Sequence, residues 1–490
     1  MFWAIFWPMV AAILAVGIVL TLAMWRLDPW LFNRVGDRML KGLLTTTYTQ
    51  NLGSMISLLR RANPQTFYEN MLRSQKASSL SRPMGTPLVF SHWEQLVFNP
   101  AQLAKFPTEN RDQISLKTVI GRHCDKPLKL EIPILIAAMS YGGALSLKTK
   151  LALAHGANLA GTATNTGEAY LPEERQAAKK LIIQYHRGTW PLSAQNHSEY
   201  LETADAIEIQ IGQGAQAAAA MGTAEPDPEM RRYFGLKEGE PAVIASRLQG
   251  IDSAKDFIKL VRKLKQRYAV PIGIKIAPSG WLNDDLDVLL EAEPTFIVLD
   301  GGEGGTHGGP PILQDDFGLP TMAAVAWTDE YLKDHGVRHA INLIAAGGLR
   351  TPGEFLKAMA IGADAIYIGF AALMAMASTV GQQVLPYAPP EALFYQSGRY
   401  KNRLDVNRAA HGLATFLQSA ADELRYGIQS LGKHNVHDVN RHDLIALDPW
   451  TAEIAGVRSL VRPWIAQAPG YYPAPPEFSS RNLEPPTRTH

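Results

Sequence analysis

The chain has 490 residues, with 47 Lys and Arg against 46 Asp and Glu, for a formal net charge of +1. Hydrophobic residues make up 46% and charged residues 19%, which excludes a disordered chain, and the near-zero charge gives no footprint for nucleic acid. The one cysteine, Cys124, excludes an intramolecular disulfide, a Cys-rich zinc site and an iron–sulfur cluster held by this chain's own thiolates.

An uncharged apolar run comes first along the chain, from Phe2 to Trp25. About 20 apolar residues suffice to cross a bilayer core, so this run predicts a transmembrane helix. A cleaved signal peptide fits less well because no basic residue precedes the run, and a buried core helix is the other alternative. Arg26 and Arg34 follow the run, which predicts a single-pass membrane protein with the remainder of the chain in the cytoplasm.

Eight short apolar runs, each ending in turn-forming residues, follow further along the chain. They are Ile132–Ala138, Gly161–Thr164, Leu181–Gln184, Ala206–Ile211, Ile272–Ala277, Thr295–Leu299, Asn342–Ala346 and Ala365–Ile368. Helical segments separate several of them, which favours parallel strands joined by crossover helices. Eight such strands predict an α/β fold, the (β/α)8 TIM barrel, with a doubly wound sheet as the alternative.

The pattern divides the chain into five predicted regions. These are a transmembrane anchor at 1–26, a helical lead-in packed on the barrel at 27–125, the barrel at 126–376, a C-terminal helical extension at 377–462, and a Pro-rich tail at 463–490. Within the extension, Asp405–Leu431 carries apolar residues at helical spacing, which predicts one long helix.

Glycines end the last two predicted strands, at Gly347, Gly348 and Gly369. In such barrels the loops after strands seven and eight often bind phosphate, because glycine lets backbone N–H groups approach an anion closely. A tight turn is enough to explain the presence of any one of these glycines. The presence of glycine in both loops favours a phosphate site.

Lys275 lies in an otherwise apolar strand, where burial is costly unless an anion or an electron-rich ring is its partner. An ion pair with Asp300 or Glu208 is the structural alternative. The loop Asp300–Gly309 is rich in glycine, but Pro310-Pro311 follows, so no helix begins there and a dinucleotide motif is excluded. His307 in this loop could be a proton donor, a metal ligand or a loop residue, and metal binding is the least favoured because no second ligand lies at a suitable spacing.

The strand-end motifs, taken in order, resemble those of the FMN-binding synthase domain of glutamate synthases. The matching segments are AAMSYGGALS, NTGEAYL, EIQIGQGAQAAAA, IKI, DGGEGGTHGG, AGGLRTPGE and IGFAAL. The resemblance implies FMN as the cofactor, with Glu168 and Lys275 as the catalytic residues. The implied FMN-binding residues are Met139, Ser140, Gln184, Gln210, Lys275, Gly347, Gly348, Gly369 and Phe370. The implied substrate-binding residues are Glu168, Gln213, Asp300, Thr306 and His307.

In that family the flavin site reduces the imine formed from 2-oxoglutarate and ammonia to glutamate. This sequence departs from the family at three places. The cluster-binding cysteines are missing from Met374–Tyr387, the chain starts without the cysteine nucleophile of a glutaminase, and alanines largely replace a lysine- and glycine-containing segment at Ala215–Ala220. No iron–sulfur cluster is therefore expected, and a separate electron donor and an amidotransferase subunit are candidate partners.

The departures leave other functions open. The enzyme could act on a different amine, imine or hydroxy acid, or the chain could be a flavin-binding subunit of a membrane complex without turnover. A flavin-free barrel that binds a sugar phosphate is a further alternative.

Overall fold

The computed structural model describes residues 27–461, except 28–29, 48–49, 51–52, 62, 76–77 and 224. The chain divides into two compact units, Met1–Leu80 and Ser81–His490. In the first unit the described residues form helices at 30–45, Ser54–Arg61 and Pro64–Gln75. The predicted anchor at 1–26 and the predicted Pro-rich tail at 463–490 lie outside the described residues.

The predicted single-pass membrane location needs correction. Among the described residues, the structure contains no helix that is both long enough and apolar enough to span a bilayer. The 25-residue helix Val406–Ser430, for example, carries charged side chains at Arg408 and Asp422.

The second unit contains a parallel barrel of eight strands, which confirms the predicted fold class at this level. The strands are β1 (Ile134–Ile136), β2 (Thr164–Asn165), β3 (Leu181–Tyr185), β4 (Ala206–Gln210), β5 (Ile272–Ile276), β6 (Phe296–Asp300), β7 (Asn342–Ala346) and β8 (Ala365–Ile368). Their order is β1-β8-β7-β6-β5-β4-β3-β2, so each strand from β2 to β7 neighbours the next in sequence, and β8 neighbours β1. A backbone hydrogen bond of 3.0 Å from Ile136 N–H to Ala163 O joins the two ends of this order.

Crossover helices follow the strands as expected for this fold. They are α1 (Leu147–Ala160), α2 (Pro172–Ala177), α3 (Ser198–Glu202), α4 (Ala254–Arg267), α5 (Leu282–Ala292), α6 (Thr321–Asp334), α7 (Pro352–Ala360) and α8 (Phe370–Val380). Local sequence signals fix several ends. Ser146 caps α1 at its start, Gly161 ends it in the left-handed conformation, and Thr351 begins α7 with a capping box.

Further helices lie outside this repeat, at Pro228–Phe234, Pro311–Asp315, Glu391–Phe394, Val406–Ser430 and Pro449–Ala455. The expectation that no helix begins after the loop Asp300–Gly309 was wrong, because Pro311 is the first residue of a short helix, a position that proline tolerates. The long helix Val406–Ser430 occupies the segment where the sequence predicted one, and it buries Ala409, Leu413, Ala420 and Leu424. It packs closely on α1, since a Cβ on Gly156 would lie 2.7 Å from Leu413 Cδ2.

Residues 81–125 differ from the predicted helical lead-in, because they form short strands and 3₁₀ turns. The strands Thr118–Ile120 and Leu128–Leu130 pair as a hairpin, and their apolar residues join the core inside the barrel. Leu96–Phe98 pairs with Leu444–Ala446, which pairs in turn with Arg458–Ser459. Met221–Thr223 and Ala242–Ile244 form another hairpin in the long connection after β4.

Candidate active site

Lys275 is buried on β5 and forms an ion pair with Asp300 at the end of β6, with 2.7 Å between Lys275 Nζ and Asp300 Oδ2. The parallel register places Lys275 beside Gln210, the last residue of β4. Burial alone would lower the pKa of Lys275, but the nearby carboxylates of Asp300 and Glu208 outweigh it and raise this pKa. The lysine therefore stays positively charged inside the barrel.

A second group of polar side chains lies inside the barrel. Glu208 accepts hydrogen bonds from Gln184 Nε2 at 2.7 Å and from the Tyr367 hydroxyl at 2.8 Å. Asn165 Nδ2 donates to the same Tyr367 oxygen at 3.2 Å. Burial raises the pKa of Glu208, although the charge of Lys275 opposes this. Tyr367 was not predicted as a site residue, because it lies in the apolar strand β8, where a tyrosine resembles an ordinary core residue.

Glu168, in the loop after β2, is held by Ser140 in the loop after β1. The Ser140 hydroxyl donates to Glu168 Oε2 at 3.1 Å and accepts from the Glu168 N–H at 3.0 Å. Glu168 Oε1 is buried without a hydrogen-bond partner. The structure thus brings these two predicted site residues together and leaves one carboxylate oxygen available to a ligand.

Lys150 on α1 is a site residue that the sequence analysis missed. Its fully buried ammonium lies 3.0 Å from Glu174 Oε1 on α2. It also donates to the carbonyl oxygens of Met139, Asn165 and Thr166, at 2.9, 2.8 and 3.2 Å. Lys150 therefore ties the loops after β1 and β2 to one point. Its place within the apolar stripe of α1 was the available signal.

The predicted phosphate glycines end the adjacent strands β7 and β8. Gly347 and Gly348 have φ values of +106° and +71°, a region that L side chains rarely adopt. A Cβ on Gly347 would lie 2.7 Å from Thr321 Oγ1, and one on Gly348 would lie 2.6 Å from Glu303 Cβ. Gly369 precedes α8, and a Cβ there would make ordinary van der Waals contacts, with Met139 Sδ at 3.7 Å and Ala137 Cβ at 3.8 Å.

The remaining predicted residues lie around these groups. Gln210 Nε2 donates to Gln213 Oε1 at 3.1 Å, and Gln216 Nε2 donates to Thr306 Oγ1 at 2.6 Å. The His307 ring lies edge-on to Tyr395, with 5.0 Å between ring centroids, and burial lowers the His307 pKa.

Phe370 begins α8 and is 45% exposed. The ligand-binding roles of these residues stay predictions.

The barrel is TIM-like. The carboxyl ends of its strands carry the Lys275–Asp300 ion pair, the carboxylate of Glu168 and glycine-rich loops. Barrel enzymes have their active sites at this face. The family described as a conserved region in glutamate synthase matches residues 72–434. The chain belongs to the glutamate synthase family. This confirms the resemblance predicted from the motifs.

Two curated relatives illustrate the match. The archaeal-type glutamate synthase (NADPH) of Thermotoga neapolitana is 30% identical over 407 residues, covering 76% of this chain and 79% of the relative. The glutamate synthase large subunit-like protein of Rhizobium meliloti is 30% identical, covering 77% of this chain and 89% of the relative. Among solved structures, a flavocytochrome b2 variant with sulfite bound has a TM-score of 0.49 at 15% identity, covering 83% of this chain and 88% of that one. Family membership supports the predicted oxidoreductase class.

Proposed function

We propose that the protein is an FMN-dependent oxidoreductase of the glutamate synthase type, which reduces the imine of 2-oxoglutarate or a related 2-oxo acid to an amino acid. The buried, charged Lys275 on β5 is the observation that carries this proposal. A cation at the carboxyl end of the barrel, in a chain of this family, suits the edge of a flavin ring that becomes negative on reduction.

The residues present fit FMN in two respects. Gln184 Oε1 and Gln210 Oε1 are buried without hydrogen-bond partners, and they can accept from the N–H groups of a flavin ring. Gly369 precedes the 11-residue helix α8, whose start favours a phosphate, and Gly347 and Gly348 follow the adjacent strand β7. Glu303, next to Gly348, accepts from Thr321 N–H and Oγ1 with Oε2 at the start of α6.

When bound, FMN would supply the hydride chemistry. The chain's own residues have supporting tasks. Lys275 would donate hydrogen bonds to the ring edge that becomes negative, while Asp300 keeps its ammonium charged. Glu168, oriented by Ser140, accepts a hydrogen bond from the substrate. Lys150 fixes both loops that carry these two residues.

The first experiment is an absorbance spectrum of the purified protein, followed by heat release and identification of the chromophore. We expect FMN at close to one equivalent. Anaerobic photoreduction, followed by addition of 2-oxoglutarate and ammonium, should then reoxidise the flavin and yield glutamate without any need to know the natural electron donor. A colourless protein that cannot be reconstituted with FMN would refute the proposal.

A different substrate is the second candidate, and the segment Ala215–Ala220 favours it. A dicarboxylate prefers cationic partners, whereas this segment offers Gln216, whose amide is engaged with Thr306. Reoxidation by another 2-oxo acid with ammonium or an amine, but not by 2-oxoglutarate, would identify this case. A separate electron donor and a separate amidotransferase subunit are the proposed partners.

A further inference from the structure

Arg187, two residues beyond β3, is buried in an unusual way. The residue is only 2% exposed to solvent. Nη1 donates to the carbonyl oxygens of Ala219, Ala245 and Ser246, at 3.4, 3.1 and 3.5 Å. Nε and Nη2 are buried and have no hydrogen-bond partner. The backbone around the hairpin Met221–Thr223 and Ala242–Ile244 thus fixes one corner of the guanidinium and leaves the opposite edge unused.

The unused edge has a defined chemistry. In an arginine, Nε–H and Nη2–H point in the same direction from one side of the planar group, and this pair matches the two oxygens of a carboxylate. Leaving such donors buried without acceptors is costly, so a ligand that satisfies them gains binding energy. Lysine could not present the same pair of parallel donors.

Glu168 is the acidic side chain that interacts with the charge of Arg187. Glu168 follows β2, and Arg187 follows the adjacent parallel strand β3, so the two residues extend from neighbouring strand ends. Burial lowers the pKa of Arg187, and the charge of Glu168 opposes this shift. Glu168 Oε1 has no hydrogen-bond partner, and neither do Arg187 Nε and Nη2, so the two side chains do not bond to each other. Glu168 is instead held at its other oxygen by Ser140. Both groups are buried, oppositely charged and unsatisfied on the atoms that could meet a ligand.

The neighbouring His186 does not compete for an anion. Its Nδ1 accepts the Gly188 N–H at 2.9 Å, and burial lowers its pKa to about 3, so the ring is neutral at physiological pH. Arg187 is therefore the cation that an incoming carboxylate meets beside Glu168.

We propose that the Nε/Nη2 edge of Arg187 binds the carboxylate of the substrate while Glu168 Oε1 accepts from its amino or imino N–H. The substrate class is then a 2-amino or 2-imino acid, in which these two groups are adjacent. This inference rests on the proposed function, and it assigns carboxylate recognition to an arginine that follows β3 rather than to a side chain of the alanine-rich segment Ala215–Ala220, which contributes only the Ala219 carbonyl oxygen that holds Arg187 Nη1.

Calorimetric titration of the purified protein tests the proposal without relying on turnover. The probes are L-glutamate, 2-oxoglutarate, glycine and acetate, the last at high concentration because it is the minimal carboxylate. The variants are Arg187→Lys, which keeps the charge but loses the paired donors, and Arg187→Met. The control is Arg247→Met, because the Arg247 side chain is 71% exposed. Thermal unfolding and flavin content are measured for every variant.

We expect at least one carboxylate probe to bind the wild type, and Arg187→Lys to weaken that binding at least about tenfold while Arg247→Met leaves it unchanged. Glycine should bind more tightly than acetate, and Glu168→Gln should remove that difference. Equal binding by wild type and a folded Arg187→Lys would overturn the proposal, as would a wild type that binds none of the four probes. Flavin content separates the two proposals, since carboxylate binding without FMN would refute only the function proposed above.

Discussion

The variant Gly348→Ala tests most directly whether Gly347, Gly348 and Gly369 form a phosphate cradle, that is, a backbone site for the FMN phosphate. Gly348 has φ of +71°, and its Cβ would lie 2.6 Å from Glu303 Cβ and 3.3 Å from Glu303 Cγ. The left-handed conformation costs an L residue about 1–2 kcal/mol. Because the contact is with the first side-chain carbon, a rotamer change cannot relieve it, and overpacking adds about 1–3 kcal/mol. Gly348→Ala should therefore lower the free energy of unfolding by about 2–5 kcal/mol.

Gly239 supplies a matched control. It has φ of +81° but no heavy atom within 4 Å of its Cβ position, so Gly239→Ala carries the conformational cost of about 1–2 kcal/mol alone. Urea unfolding followed by tryptophan fluorescence measures both variants, and released FMN is quantified in parallel. We expect Gly348→Ala to be the less stable variant and to lose FMN, while Gly239→Ala retains it. Equal stability and equal FMN content in the two variants would refute the steric argument and the phosphate cradle together.

Three further variants address the buried charges. Lys275→Met should lower the two-electron potential of bound FMN by about 30–60 mV, because a charge-assisted hydrogen bond contributes about 1.5–3 kcal/mol to the reduced form. Lys150→Met should lower the free energy of unfolding by about 3–5 kcal/mol, since it leaves Glu174 buried without its counter-ion, and urea unfolding measures this. His186→Asn should make stability less sensitive to acid: the His186 pKa is about 3 in the folded protein against 6.5 as the ordinary value, so the unfolded chain binds the extra proton. Wild type should lose up to about 1.4 kcal/mol per pH unit more than this variant as pH falls below 6.5.

Lys263→Met is the shared control for the two lysine variants, because Lys263 is an exposed residue of α4. It should change stability by no more than about 0.5 kcal/mol and leave the flavin potential unchanged. An unaltered potential in Lys275→Met would argue against contact between Lys275 and the flavin. A loss in Lys150→Met no larger than in Lys263→Met would contradict the proposed role of Lys150. Parallel pH profiles for wild type and His186→Asn would show that His186 takes up protons in the folded state.

The barrel strands could be predicted because their signal is local. Runs such as Ile272–Ile276 and Ala365–Ile368 are apolar throughout and end in turn-forming residues, as buried parallel strands require. β2 was predicted about three residues early, at Gly161 rather than Thr164, because Gly161 belongs to the end of α1.

The site could be predicted only in outline. The sequence offered an ion pair with Asp300 or Glu208 as the structural alternative for Lys275, and the structure contains the pair with Asp300. The sequence left Asp300 and Glu208 as equal partners for Lys275, because both lie on strands adjacent to β5. The unused edge of Arg187 depends on carbonyl groups more than 30 residues away in sequence, at Ala219 and beyond, and no local pattern reveals such an arrangement.

The barrel has a seam between β1 and β2, the two ends of its hydrogen-bonded order. Asn165 on β2 is tied through the Tyr367 hydroxyl on β8 to Glu208 on β4. Because β8 neighbours β1, the hydrogen bond between Asn165 and Tyr367 connects the strands on the two sides of the seam from within the barrel. Opening the seam would break hydrogen bonds between buried polar groups of Asn165, Tyr367 and Glu208, and leaving such groups unpaired costs about 1–3 kcal/mol each. The place where the strand ladder is weakest is thus reinforced from within, and thermal breathing of the barrel should begin elsewhere.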